Sequence, residues 1–494
     1  MPVGTAPKVV VIGAGIAGLA AAHRLIEQSH IQRRTINVLV VEAGQRASGS
    51  ITSRRWQGFL IEGGPDAFIS EKPWALDLCR RLGLEKRLTS TNTAHRRSFI
   101  VRQGRLLPVP DGFYLLAPAR LWPFLTTPVF SWAGKLRMMY ELALSCGPEV
   151  ADESLAAFVL RRFGREALDR MAQPMVSGIY GADPEVLSLR ATMPRFLDLE
   201  RRYRSVTRGL WIETRQRRAA MSDRQASGPR YSLFMTLDDG LQVLVDVLVD
   251  RLLAGSMRYG TPVESVQRAN DRSSARWRVV LASDETIDAD GVCVALPSYR
   301  AATLLRGLDP ELVRQLSAVR YTSVAVVNLA YRRVDIRHPL NGFGFVVPSA
   351  ERRPILGCTF SSVKFPGRAP EGSVLLRAFL GGEMQEDIYA MEDAALLDRV
   401  RRELAMLLGI SAPPLWMTLD RHPAAIPQFR VGHLDRVAAI ERQLSSWPGL
   451  TLAGNGYRGL GIPDCIHGGE QAADRLLQTL WAEERAPSGL GSAA

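Results

Sequence analysis

The apolar pattern near the N-terminus changes period twice within the 35 residues from Lys8 to Glu42. Val9-Val10-Val11-Ile12 is a continuous apolar run of strand length, the pattern of a strand buried on both faces. It runs into Gly13-Ala14-Gly15-Ile16-Ala17-Gly18, after which Leu19 to Gln28 spaces its apolar positions for a helix. Polar residues 29–37 read as a loop, and a second apolar run, Val38 to Val41, ends in Glu42. Strand, glycine turn, helix, strand and acid together predict a dinucleotide-binding βαβ unit. Gly13 would make the tight turn, Gly15 would let a pyrophosphate reach the backbone, and Gly18 would let helix and strand pack closely. The positive end of the helix would face the phosphates. Glu42 would accept hydrogen bonds from ribose hydroxyls.

Further along, the pattern alternates between classes. Residues 1 to about 90 read α/β. From 91 to about 215 a hairpin at Ser98–Leu107, turning at Gln103-Gly104, is followed by Pro-rich apolar sequence and helices at Leu136–Leu144, Ser154–Phe163 and Arg165–Met175. Residues 213–231 are polar and basic, read as a helix end and an exposed loop. The α/β character returns at Phe234, with a helix over Leu241–Leu253 and strands at Thr261–Val266, Trp277–Ala282 and Gly291–Ala295. Residues 320–385 are strand-rich. Leu450–Leu477 reads as strand, glycine-rich loop and helix. The first and last segments and a middle piece read as one domain interrupted by insertions.

Composition narrows this picture by exclusion. With 494 residues, 46% hydrophobic and 23% charged, the chain is ordinary globular protein, long enough for two or three domains. Its five cysteines are scattered without a CxxC, which excludes a disulfide framework or zinc site and fits a reducing cytosol. No histidine cluster suggests a metal. Met1 to Pro7 lacks the features of a secretory signal, and no apolar run is long enough to span a bilayer. Net charge is +12, nearly all from Arg. Basic charge would favour anionic lipid or carboxylate-bearing substrates; with no nucleic-acid-binding motif, no nucleic acid is expected.

Candidate chemistry lies in two glycine-rich regions some 400 residues apart. After Glu42 come Arg46-Ala47-Ser48-Gly49-Ser50 and Glu62-Gly63-Gly64-Pro65-Asp66. Near the C-terminus stands Leu452-Ala453-Gly454-Asn455-Gly456-Tyr457-Arg458-Gly459-Leu460-Gly461-Ile462-Pro463-Asp464-Cys465. An extended FAD needs two such contacts, because its flavin lies far from its adenine. With Arg105–Pro110, Ser177–Asp183, Asp239–Gln242, Gly342-Phe343-Gly344, Phe365–Pro370, Ile426–Phe429 and Gly432-His433-Leu434, these segments resemble the FAD-dependent amine oxidase/phytoene desaturase superfamily. Within it, they are most similar to the oxygen-dependent porphyrinogen oxidases of haem synthesis.

That resemblance implies an α/β fold in three parts. A discontinuous Rossmann-like FAD-binding domain would comprise 1–90, 234–300 and 445–485. A helical membrane-associating domain would comprise 91–215, and a β-rich substrate domain 301–444. It implies FAD contacts at Gly13, Ala14, Gly15, Ile16, Ala17, Gly18, Glu42, Ala43, Arg46, Gly49, Ser50, Gly64, Pro65, Asp66, Val263, His422, Leu460, Gly461 and Ile462. Val263 would offer its backbone to adenine, or is a core valine. Three departures stand out: Ser48 replaces a glycine, His422 stands where many relatives have Trp, and Ser98 stands where plant relatives have Arg.

The implied reaction is three two-electron oxidations of protoporphyrinogen IX to protoporphyrin IX, with coproporphyrinogen III as the rival substrate. FAD would take the hydride, and O2 would reoxidise it to give H2O2. No side chain stands out as a catalytic base. Other amine or polyene oxidases of the superfamily are the further alternative; the Cys-linked flavin motif of some of them is absent around Cys465. Arg97, beside Ser98, would hold a propionate, or is a solvated hairpin charge. Phe343 and Phe379 would sandwich the macrocycle, or belong to the core. Gly178 would expose backbone to substrate, or caps a helix. The apolar stretch Gly112–Gly134 resembles the surface this family lays on a membrane. Trp122 and Trp132 would sit at the interface, with Arg120 and Lys135 on anionic head groups. The alternative is a domain or homodimer contact. The protein is thus expected in the cytoplasm, peripheral on the membrane.

Overall fold

Both faces of the first strand are covered over Val9–Ile12, which is why that run is apolar. The computed structural model describes residues 6–47, 49–114, 117–147, 151–223, 233–269 and 275–483. In it five parallel strands form one sheet, in the order Met257–Arg258, Asn37–Val41, Lys8–Ile12, Gly291–Val294 and Leu450–Leu452. Val9 and Val11 enter a core shared with helices Ile16–Gln32, Gln242–Asp250 and Ile462–Glu483. Val10 and Ile12 face the other way, toward an antiparallel sheet of Val263–Arg268, Trp277–Leu281 and Thr286–Ala289. The alternation of side chains along a strand thus builds two cores from one apolar run.

The first helix is longer than expected. It continues through His30-Ile31-Gln32, where no Gly or Pro interrupts it, and ends with Arg33 in the left-handed region at φ 52°. The expected loop 29–37 therefore shrinks to a short link.

A second sheet has seven strands, in the order Trp416–Pro427, Tyr321–Arg332, Ser373–Gly381, Gly357–Phe360, Gly344–Val346, Phe99–Arg102 and Arg105–Pro108. The last two form the hairpin expected at Gln103-Gly104; both turn residues have positive φ, 50° and 73°, as a tight two-residue hairpin requires. One face of this sheet, carrying Val327, Leu329, Leu376 and Ala378, packs on helix Asp393–Leu408. The other face reaches the nucleotide-binding part.

Helices between 121 and 223 enclose a third core around Phe124, Phe158, Phe163 and Phe196. One helix starts at Trp132, earlier than expected, because Ser131 caps it by accepting the Gly134 N–H at 3.0 Å. The helix expected over Arg165–Met175 runs on to Tyr180 through a π-helical turn, Leu168–Ala172. The wider turn precedes Pro174, which has no N–H to donate. Residues 224–231 of the expected exposed loop lie outside the described residues.

Candidate active site

The three glycines of the first loop have different surroundings. Gly13 has φ 101°, and a Cβ there would lie 2.7 Å from Ala295 O. A Cβ on Gly18 would lie 2.0 Å from Gly13 O. Gly15 meets nothing nearer than Gly49 Cα at 3.9 Å, and no side chain caps the helix that starts at Ile16. Packing thus requires the outer two glycines, while the middle one leaves open backbone at a helix N-terminus, the surface a pyrophosphate needs. Glu42 accepts the Ala14 N–H at 2.7 Å and the Gly44 N–H at 2.8 Å. Its carboxylate, with about four acceptor sites, retains lone pairs for hydroxyl donors.

The chain ahead of Val263 joins the same corner: Gly260 N–H donates to Gly44 O at 2.9 Å and Thr261 N–H to Glu42 O at 2.8 Å. Val263 itself is half-buried against the lower core of the parallel sheet. Ala43, Arg46, Gly49 and Ser50 are exposed around this corner; Ser48 lies outside the described residues. An adenine dinucleotide fits these residues: open glycine backbone, an uncapped helix end and a carboxylate converge.

The second glycine segment is pinned on three successive carbonyls. Glu62 O accepts from Asn328 Nδ2 at 3.2 Å, Gly63 O from His422 Nε2 at 2.8 Å, and Gly64 O from the Arg377 guanidinium. Because a carbonyl only accepts, His422 carries its proton on Nε2. The three donors come from three adjacent strands, and Asn328 pairs directly across from Arg377. Gly64 lies so close to Ser50 that a Cβ would be 1.6 Å from the Ser50 carbonyl oxygen.

Beneath this segment lies a buried charge cluster. Lys364 Nζ is 3.0 Å and Arg377 3.6 Å from Asp66, and Arg368 is 2.9 Å from Glu62. Burial alone would raise the Asp66 carboxyl, but Lys364 and Arg377 together hold it down to about 2. Arg377 is 3% exposed, and its guanidinium stacks 4.8 Å from the Phe379 ring.

The C-terminal glycine loop closes the other end. Asn455 Nδ2 donates to Ala425 O at 2.9 Å, and Leu460-Gly461 lead into the helix beginning at Ile462. Asp464, in that helix's first turn, pairs with Lys72 at 2.6 Å. Trp74 stacks on His467 at 4.0 Å. The buried Cys465 thiol is pushed up to about 12, so it is no thiolate. Gly469 lets this helix meet the first one, since a Cβ there would be 2.2 Å from Ala17 O.

On the expected substrate side, Arg97 is exposed and its carbonyl accepts the Phe343 N–H at 2.8 Å; Ser98 is half-buried. Phe379 shares a strand face with Arg377, whereas Phe343 lies two strands away, just before Gly344–Val346. Gly178 sits inside helix Gln173–Tyr180, and a Cβ there would lie 3.7 Å from Val346. It is not the helix cap: Gly181, at φ 57°, has that role because the helix runs a turn further. Lys135 also departs from expectation. It is 5% exposed and donates to Leu125 O at 2.7 Å, so it cannot meet head groups. Sequence reading missed Asn328, Lys364, Arg368, Arg377 and Lys72. A polar residue inside an otherwise apolar strand, Arg377 in SVLLRAFLG and Asn328 in VAVVNLAY, was the available signal.

The profile of the flavin containing amine oxidoreductases matches residues 16–477, so the chain belongs to that family. It is an FAD-dependent oxidoreductase. Among curated proteins it is 33% identical to coproporphyrinogen III oxidase of Bacillus subtilis (strain 168), over 96% of this chain and 98% of that one. It is 32% identical to protoporphyrinogen oxidase of Bos taurus, over 95% and 98% respectively. A crystal structure from Exiguobacterium sp. 255-15 superposes with a TM-score of 0.81 at 27% identity, covering 95% of this chain and 98% of that one.

Proposed function

We propose that this protein oxidises a porphyrinogen to the corresponding porphyrin. The observation that carries the reading is full-length similarity to porphyrinogen oxidases, joined to the open Gly13–Gly18 backbone and the pinned Gly63-Gly64 segment. When bound, FAD would accept the hydride lost from a ring meso position and pass the electrons to O2, forming H2O2. The Gly13–Gly18 loop would hold the pyrophosphate, Glu42 the ribose, and the backbone before Val263 the adenine. Asn328, His422 and Arg377 fix the Gly63–Gly64 backbone, which would form part of the flavin's seat. Leu460-Gly461-Ile462 and the start of the helix at Ile462 would also hold the flavin. Phe379, Phe343 and the Gly178 backbone supply the apolar walls for the macrocycle, and Arg97 the charge for a carboxylate arm.

Two substrates remain distinct. Coproporphyrinogen III is favoured by three bacterial relatives named coproporphyrinogen III oxidase, 31–34% identical, each over 96% of this chain. Protoporphyrinogen IX, with two carboxylates instead of four, is favoured by the bovine relative. Anaerobic mixing of the yellow protein with each porphyrinogen separates them. The true substrate is expected to bleach the flavin, and O2 to restore it with porphyrin fluorescence. Bleaching by neither refutes the reading.

The same reading includes a membrane contact. No helix among the described residues is long and apolar enough to cross a bilayer. Trp122, Trp132, Leu136 and Tyr140 are nevertheless 76%, 69%, 71% and 59% exposed within one short stretch, with Arg120 beside them. The protein is expected to float with anionic vesicles. Replacing Trp122, Trp132 and Leu136 together by Ala is expected to weaken that binding at least tenfold, since each buried side chain contributes about 1.5–3 kcal/mol. Unchanged flotation would remove the membrane from the account.

A further inference from the structure

A cavity of about 270 Å3 opens beyond the ends of the Gly344–Val346 and Gly357–Phe360 strands, apart from the glycine loops. Its wall carries three guanidiniums, Arg352, Arg353 and Arg399, against one carboxylate, Asp387. Arg353 is already held, 2.6 Å from Glu403 and 3.7 Å from Glu351. Among the described residues, Arg352 and Arg399 have no ion-pair partner; Arg399 meets the Met391 sulfur at 3.4 Å. Two wall atoms, Arg353 Nε and Gln385 Oε1, are buried without a hydrogen-bond partner. Arg353 Nε, whose nearest carboxylate is Glu351 at 3.7 Å, is a donor that a closer carboxylate oxygen would satisfy, whereas Gln385 Oε1 is an acceptor and calls for a hydroxyl or water beside it.

We propose that this cavity binds an oligocarboxylate. Planar guanidiniums match carboxylates in a bidentate fork, and two of the three here are uncommitted. The volume admits a small tricarboxylate or the carboxylate arms of a larger molecule. Its wall is also bonded to the expected substrate side. Gln173 accepts the Ser349 N–H at 2.8 Å and donates to Ser177 Oγ, next to Gly178, at 2.8 Å. Leu356, another wall residue, donates its N–H to Phe379 O at 2.7 Å. An anion held here therefore abuts the segments carrying Gly178 and Phe379.

The carboxylates could belong to a free acid or to a porphyrin. Calorimetric titration of the FAD-loaded protein at low ionic strength, with citrate and with coproporphyrin III, distinguishes them. The citrate arm is independent of the porphyrinogen reading; the porphyrin arm rests on it and is scored by a second equivalent bound beyond the active site. Wild type is expected to bind, and the exposed double variant Arg352→Ser/Arg399→Ser to bind at least about tenfold more weakly, with its flavin content unchanged. Binding of citrate assigns the site to free oligocarboxylates; a second porphyrin equivalent without citrate binding assigns it to tetrapyrrole arms. If neither probe occupies a site beyond the active site, or if both proteins bind equally, the proposal is overturned.

Discussion

Gly64→Ala protein is expected to purify without its yellow colour. The new Cβ would lie 1.6 Å from Ser50 O and 2.8 Å from Ser50 C, both backbone atoms that no rotamer change can move. Nor can the Gly64 segment withdraw, because Asn328, His422 and Arg377 hold its three consecutive carbonyls. Relief requires breaking at least two of these bonds, about 1 kcal/mol each when the partners find water and more when they stay buried. A displaced segment then misplaces the flavin contact, so FAD affinity should fall about 100-fold or more, equivalent to about 3 kcal/mol. The flavin-to-protein absorbance ratio reads this directly. Gly468→Ala is the control: nothing lies within 4 Å of its Cβ position, so its flavin content should match wild type. Normal flavin content in Gly64→Ala would mean the two backbones can separate, and the pinned-segment account would fail.

Replacing Arg377 by Met should be the most destabilising single change at the site. Arg377 is buried, donates to Gly64 O and neighbours Asp66 at 3.6 Å. Met keeps the stem but removes the charge, leaving Asp66 with Lys364 alone at 3.0 Å and Gly64 O without its donor. Breaking a buried ionic network on one side costs about 3–5 kcal/mol. Part of this loss is pH-dependent, and its sign is fixed. Folding lowers the Asp66 carboxyl from its ordinary 3.8 to about 2. Its contribution, about 2 kcal/mol by linkage, is therefore present above about pH 4 and lost as pH falls toward 2. Without Arg377 that lowering shrinks, so the stability gap between wild type and variant should narrow on acidification. Urea unfolding at pH 7, 5 and 3 measures it. A gap below about 1 kcal/mol, or one constant with pH, contradicts the assigned network.

How much of this was legible in advance depended on the range of the forces involved. The turn at Gln103-Gly104 was readable because both residues adopt positive φ to match strand twist, a constraint acting within four residues. Helix ends were less so. The first helix overran its expected end at Gln28 because polarity alone does not stop a helix when no Gly or Pro is present. The alternative reading of Gly178 as a helix cap failed because the helix extends to Tyr180 beyond a π turn. Lys135 looked like a surface charge; it is buried, and its ammonium donates to Leu125 O.

The sequence by itself determined the nucleotide-binding unit and the family. The Gly13–Gly18 loop, its helix and Glu42 interact within about one turn of one another along the chain or across neighbouring strands, so their residue types carry their geometry. Only the tertiary structure decided what holds the Gly63-Gly64 segment. Asn328, His422 and Arg377 reach carbonyls 266, 359 and 313 residues away. They meet because three strands pair in one register and turn alternate side chains to one face. A one-residue slip in that register would send each of them into the opposite core.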